Sequence, residues 1–126
     1  MFFGRKNKIL VVDNDDDLLH LLKKILSDNK YNMTQVKYGK ECIEEAQKSS
    51  PDIIIIDVII PKLDGIATVL KLRSIEETRS IPIIMCTSMK EAEDEIVSRN
   101  LGIVDYVKKT PQMEDLMAKI ERVLNQ

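Results

Sequence analysis

The chain has 126 residues, 44% of them hydrophobic and 32% charged, with a formal net charge of −2 at pH 7. This length predicts one domain over residues 1–126, with residues 1–7 as a flexible N-terminal segment. The weakly acidic charge argues against direct nucleic-acid binding, and no apolar run is long enough to cross a bilayer. The N-terminus carries no signal-peptide pattern, and the widely spaced Cys42 and Cys86 fit reduced thiols, so we expect a cytoplasmic protein.

Short apolar runs alternate with helical patterns along the whole chain. The predicted strands are Lys8–Val12, Asn32–Lys37, Ile53–Ile56, Ile81–Thr87 and Ile103–Val107. The predicted helices cover Leu18 to Leu26, Lys40 to Lys48, Ile66 to Leu72, Lys90 to Asn100, and a last segment opened by Thr110 and Pro111. Such alternation predicts an α/β fold, a doubly wound five-stranded parallel sheet in the order 2-1-3-4-5.

The third predicted strand consists of four consecutive isoleucines and runs directly into Asp57. An unbroken β-branched run bounded by turn residues indicates a strand that is buried on both faces. Open α/β sheets place their ligands at the carboxyl ends of such strands. Asp57 is therefore a candidate functional carboxylate, with helix capping or turn formation as the structural alternative.

An acidic run, Asp13 to Asp17, follows the first strand and leads into the first helix. Asp15 to Asp17 are placed to cap the helix and to complement its dipole. Asp13 comes too early in the chain to be a cap, so capping does not account for it.

In the predicted strand order, Asp13 and Asn14 lie beside Asp57, with Thr87 on the next strand and Lys109 on the one beyond. Clustered carboxylates repel one another and favour a hard cation such as Mg²⁺. A carboxylate flanked by a metal, a hydroxyl and an ammonium group is suited to phosphoryl transfer, with Asp57 as the central acceptor.

The chain resembles the receiver domain of bacterial two-component response regulators, which has a flavodoxin-like (βα)5 fold. The resemblance extends from about Lys8 to Leu124. Four segments carry it in order: Ile9–Asp15, Pro51–Asp57 with Pro61–Gly65, Ile81–Ser88 and Asp105–Lys109.

The resemblance implies a role for each matching residue. Asp57 would accept a phosphoryl group from a sensor histidine kinase or a His phosphotransfer protein. Mg²⁺ would be held by Asp13, Asn14, Asp57 and the backbone carbonyl of Ile59. Thr87 and Lys109 would bind the phosphoryl oxygens, and Tyr106 would act with Thr87 as the switch.

The resemblance also implies an output surface made by the fourth helix, the fifth strand and the fifth helix. Its partner would be a downstream output protein or a C-terminal effector domain outside this sequence. We expect a phosphoryl acceptor that assists its own phosphorylation and dephosphorylation, and not an enzyme acting on other substrates.

Two residues depart from the family pattern. Asn14 stands where a second Asp is usual, which removes one charge from the metal site. Thr110 replaces the usual proline after Lys109, so the cis bond expected there is absent. These departures leave open a pseudo-receiver, a protein-interaction module that does not depend on phosphorylation.

Other acidic-site families fit the sequence less well. Asp13 and Asp15 resemble the start of haloacid-dehalogenase-type phosphatases, but Asp17 stands where that pattern has Thr or Val. An EF-hand loop would need Gly where Leu18 stands.

Overall fold

A parallel five-stranded sheet forms the centre of the structure, a computed structural model that describes residues 7–57, 64–87, 102–108 and 113–125. The strand order is β2-β1-β3-β4-β5, which is the predicted order. The strands are β1 (Lys8–Val12), β2 (Asn32–Val36), β3 (Ile53–Ile56), β4 (Ile83–Thr87) and β5 (Asp105–Lys108). The chain therefore has the α/β arrangement that the alternating pattern indicated and the flavodoxin-like fold that the resemblance implied.

Four helices accompany these strands: α1 (Asp16–Asp28), α2 (Gly39–Ser49), α3 (Gly65–Arg73) and a C-terminal helix (Glu114–Leu124). The helix predicted over residues 90–100 lies outside the described residues, as does nearly all of the predicted flexible segment 1–7. No described helix is long and apolar enough to span a membrane.

The sheet separates two hydrophobic cores. Alternate residues of β1 and β3 enter opposite clusters, because successive side chains in a strand point to opposite faces. Ile9, Val11, Ile53 and Ile55 pack with α1 and the C-terminal helix. Leu10, Val12, Ile54 and Ile56 pack with α2 and α3.

The isoleucine strand is covered on both faces, as its sequence predicted. Its four side chains are between 0% and 3% exposed. Burial of this kind contributes about 1.5–3 kcal/mol for each large aliphatic side chain. Because β3 lies between β1 and β4, this packing fixes the central strand, and with it the position of the residue that follows.

Several element boundaries differ from the predicted ones. The fourth strand begins at Ile83, since Pro82 has no backbone N–H to donate to a neighbouring strand. The fifth strand begins at Asp105, after Val104 has donated a backbone hydrogen bond to Ile83. The last helix begins at Glu114, because Met113 has a left-handed backbone conformation with φ of 57°.

Arg73, at the end of α3, links loops at the amino ends of the strands, on the side of the sheet away from the candidate site. Its guanidinium group donates to the carbonyls of Arg79 at 2.8 Å, Ile81 at 2.9 Å and Gly102 at 3.2 Å. Gly102 has a φ of 72°, a backbone conformation that residues with a Cβ rarely adopt. Partial burial of the guanidinium lowers the pKa of Arg73.

Candidate functional site

The register between β1 and β3 brings two aspartates together. Val12 and Ile56 are Cα partners in this parallel pair, and the backbone N–H of Asp57 donates to the carbonyl of Val12 at 3.0 Å. Asp13 and Asp57 follow these partners directly, so they stand side by side on strands about 4.8 Å apart. The sequence prediction that these two residues meet is thus confirmed.

Both carboxylates lie in a largely buried setting. The exposed fraction is 4% for Asp13 and 9% for Asp57. They and two threonines are the buried polar residues among those the structure describes. Burial of a carboxylate is costly unless hydrogen bonds, a cation or both compensate for the loss of water. The buried pair of aspartates at the carboxyl ends of β1 and β3 is therefore a candidate for a chemical role.

The backbone fixes Asp13 from two sides. Its N–H donates to the carbonyl of Val36 on β2 at 3.2 Å, which extends the β1–β2 pairing by one residue. One of its carboxylate oxygens, Oδ1, accepts from the N–H of Asp15 at 3.0 Å. The Asp13 side chain is thereby held at the start of the loop that leads into α1.

Asp15 is the N-cap of α1. Its Oδ1 accepts from the N–H groups of Asp17 at 3.0 Å and Leu18 at 3.2 Å, which satisfies two of the donors exposed at the start of the helix. Of the three acids that the sequence offered as caps, Asp15 is the one that takes this position. The carboxylate of Asp15 thus accepts hydrogen bonds from the first turn of α1.

Asp16 forms an ion pair with Lys37, the residue after β2, with 2.6 Å between Oδ1 and Nζ. The hydrogen bond to Asp16 raises the pKa of Lys37. Both side chains are well exposed, so this pair contributes little to stability. Asp16 is thus, like Asp15, an acid of the run whose carboxylate has a partner within the protein.

The remaining predicted site residues are described in part. Asn14 is exposed and follows Asp13 directly. Thr87 ends β4, and its backbone is one residue beyond the level of Asp57, since Ile56 pairs with Met85. Tyr106 lies within β5, where its backbone pairs with Met85. Ile59, Lys109 and Thr110 lie outside the described residues.

The donor atoms at this edge suit a hard divalent cation in part. The described side chains include no cluster of three or more His, Cys, Asp and Glu that could hold a metal. They do include the two adjacent carboxylates and the neighbouring Asn14 amide, all of them oxygen donors. Mg²⁺ is commonly bound by one or two carboxylates together with waters and phosphate oxygens, and this set fits that pattern.

One neighbour of Asp57 was not anticipated from the sequence. Cys86 of β4 is one residue beyond Met85, the partner of Ile56, and so stands level with Asp57. It is 3% exposed and packs in the same core cluster as Ile55. Its position in the sequence, immediately before the candidate residue Thr87, could have indicated that it lies near Asp57. Cys42 lies in the other cluster, where burial raises its pKa to about 12.

Residues 9–121 match the family model for the response regulator receiver domain. The chain belongs to this family. It is therefore a response regulator receiver domain of the kind found in two-component signalling systems.

Relatives and solved structures agree with this assignment. The receiver is 33% identical over 117 residues to the alkaline phosphatase synthesis transcriptional regulatory protein PhoP of Bacillus subtilis, which covers 93% of this chain and 48% of that protein. It therefore spans about half the length of that relative.

Two solved receivers share the fold closely. The BeF3-activated N-terminal receiver domain of RstA from Klebsiella pneumoniae has a TM-score of 0.87 at 27% identity, covering 95% of this chain and 100% of that one. The chemotaxis response regulator CheY4 of Vibrio cholerae has a TM-score of 0.87 at 27% identity, covering 94% of this chain and 99% of that one.

We predict that replacement of Asp15 acts through its capping bonds and not through its charge. Asp15→Ala removes the acceptor for two backbone N–H groups and should lower the free energy of unfolding by about 0.5–2 kcal/mol. Asp15→Asn keeps an acceptor oxygen and should stay within about 0.5 kcal/mol of the parent, because Asn and Asp are comparable N-caps. Urea unfolding followed by circular dichroism measures both. Equal losses for the two variants would show that the negative charge, and not the cap, stabilises this end of α1.

Proposed function

We propose that Asp57 accepts a phosphoryl group from a phosphohistidine on a sensor histidine kinase or a His phosphotransfer protein. The observation that carries this proposal is the pair of buried carboxylates, Asp13 and Asp57, on neighbouring central strands. Among the described residues Asp57 caps no helix, since α3, the next described helix, has Asp64 as its N-cap. Family membership supports the same assignment.

The transfer needs a nucleophile that is held rigidly and is reachable from outside. Asp57 meets the first requirement through its backbone N–H, which is bonded to β1, and the second through its place at the carboxyl ends of the strands, where open α/β sheets bind their ligands. A carboxylate oxygen of Asp57 attacks the phosphorus atom while the bond from phosphorus to the histidine nitrogen breaks. The electron pair of that bond stays with the imidazole, and Asp57 becomes an acyl phosphate.

Mg²⁺ is the proposed cofactor. Asp13, Asn14, Asp57 and the backbone carbonyl of Ile59 would hold it. Bound there, the ion would neutralise charge on the transferred phosphoryl group. Asp13 is already fixed for this task by its hydrogen bond from Asp15, so little side-chain freedom is lost when the metal binds.

Thr87 and Lys109 are the proposed phosphoryl-binding residues on the other side of Asp57. Thr87 is suited by its place at the end of β4, the strand next to β3. Lys109 directly follows Lys108, whose backbone pairs with Thr87. The hydroxyl of Thr87 would donate to one phosphoryl oxygen, and the Lys109 ammonium would offset negative charge on the others.

The proposed switch runs from Thr87 to Tyr106 and alters the face that includes β5 and the C-terminal helix. These two elements are joined by Asp105, which contacts Lys119 at 3.3 Å and Arg122 at 3.1 Å. A change in β5 would therefore be transmitted to the C-terminal helix. The predicted helix over residues 90–100 would complete the output surface.

The proposed partners follow from this surface. A downstream output protein, or an effector domain of a longer regulator, would bind it in the cytoplasm, and we expect no direct nucleic-acid contact by this domain. The protein would catalyse only its own phosphorylation and dephosphorylation.

The acceptor assignment is tested with a small phosphodonor, such as phosphoramidate, in the presence of Mg²⁺. Intact-protein mass spectrometry should show one added phosphoryl group on the parent protein and none on Asp57→Asn. Asp52→Asn is the matched control, because Asp52 lies at the opposite end of β3 and bonds the N–H of Lys8. The Asp52→Asn variant should be phosphorylated on Asp57 to the same extent as the parent protein. Absence of phosphorylation in a folded parent protein would instead favour the pseudo-receiver alternative.

The metal assignment is tested by restoring the second charge. Asn14→Asp should tighten Mg²⁺ binding by about tenfold or more, since unit charges 4 Å apart interact by about 1 kcal/mol even in bulk water and Mg²⁺ carries two. Isothermal titration calorimetry measures the affinity. Asn32→Asp adds the same charge at the opposite edge of the sheet and should leave the affinity unchanged. Equal effects of the two variants would place the metal elsewhere.

A further inference from the structure

The helix α3 carries apolar side chains on its outer face as well as on the face that packs against the sheet. Val69 and Leu72 are fully buried against the sheet, whereas Leu70 is 55% exposed. Leu70 and Val104 are the large hydrophobic side chains that stay exposed among the described residues. A helix with apolar residues on nearly every side is normally covered, so the outer face of α3 is suited to contact with another protein surface.

A groove lies beside Leu70, between α3 and α2. It is a shallow groove, open to solvent, with a volume of about 690 Å³. Its lining combines apolar and charged side chains: Lys40, Ile43, Glu44, Ala67, Leu70, Lys71 and Ser74. The same surface thus offers both a projecting leucine and an apolar hollow that can receive one. A surface with both features is complementary to itself.

The charges beside the groove are also self-complementary. Lys40 and Glu44 are exposed, lie one turn apart on α2, and make no ion pair within the described part of the chain. When the two-fold axis is perpendicular to α2, the two copies of α2 run antiparallel, so that Lys40 of each copy can face Glu44 of the other. A partner with only acidic groups would place a like charge opposite Glu44, and one with only basic groups would place a like charge opposite Lys40.

We propose that this surface, formed by α2 and α3, binds a second copy of the chain in a two-fold symmetric dimer. Leu70 of each copy enters the groove of the other, and two Lys40–Glu44 pairs flank the contact. The surface lies on the face of the sheet opposite the C-terminal helix. It is therefore separate from the output surface proposed above, and the inference does not depend on phosphorylation.

The expected dimer is weak. α2 has 11 residues and is about 16 Å long, and two adjacent helices span about 20 Å, which gives a footprint of about 320 Å² for each copy. Stable complexes bury about 800 Å² for each partner. We therefore expect association in the upper micromolar range, visible by sedimentation velocity between about 10 µM and 1 mM protein.

Single substitutions test the contact. Leu70→Lys should weaken the dimer by at least about tenfold, because it places a charge at the centre of the interface. Val104→Lys changes the other exposed hydrophobic residue in the same way and should leave association unchanged. A parent protein that stays monomeric up to about 1 mM, or equal effects of the two variants, would overturn the proposal.

A charge swap tests the symmetry. Lys40→Glu and Glu44→Lys should each weaken the dimer, because each sets like charges opposite one another. The double variant restores opposite charges across the two-fold axis and should recover the affinity of the parent. Failure of the double variant to recover, with both single variants folded, would rule out the antiparallel α2 contact.

Discussion

The candidate site depends on the register of β1 against β3. The Val12–Ile56 pair and the 3.0 Å hydrogen bond from Asp57 to Val12 set two carboxylates side by side at one edge of the sheet. A slip of one residue would turn each side chain to the opposite face and separate the pair. The four isoleucines could replace one another in such a slip, but it would carry Asp52 or Asp57, the residues that flank the run, into the core, and the cost of burying a carboxylate there opposes it. The hydrophobic strand and the polar site are thus parts of one arrangement.

The acidic run after β1 divides into residues with different tasks. Asp13 lies beside Asp57, Asp15 caps α1, and Asp16 pairs with Lys37. The cap and the site are linked, since the N–H of Asp15 donates to Asp13. The helix start therefore helps to hold a carboxylate of the site in place. Asn14 carries no charge, and it is the point at which this receiver is expected to differ from others in metal affinity.

Much of this arrangement could be predicted from the sequence. Four adjacent isoleucines followed by Asp57 identify a central buried strand, and strict alternation of strands and helices leaves few sheet orders. Local pattern did not show which acid would cap α1, because Asp15, Asp16 and Asp17 have similar propensities. Nor did it place the start of the last helix, which depends on the left-handed conformation of Met113. Leu70 fitted the helical periodicity of α3, yet it is 55% exposed.

We propose that Asp13 and Asp57 form one phosphoryl-accepting site with Mg²⁺. A crystal structure of the protein with Mg²⁺ and beryllium fluoride tests it most directly. We expect the fluoride complex on a carboxylate oxygen of Asp57, with the metal ligated by both Asp13 and Asp57. A fully folded protein with the complex on another residue, or with the metal bound away from Asp13, would contradict it.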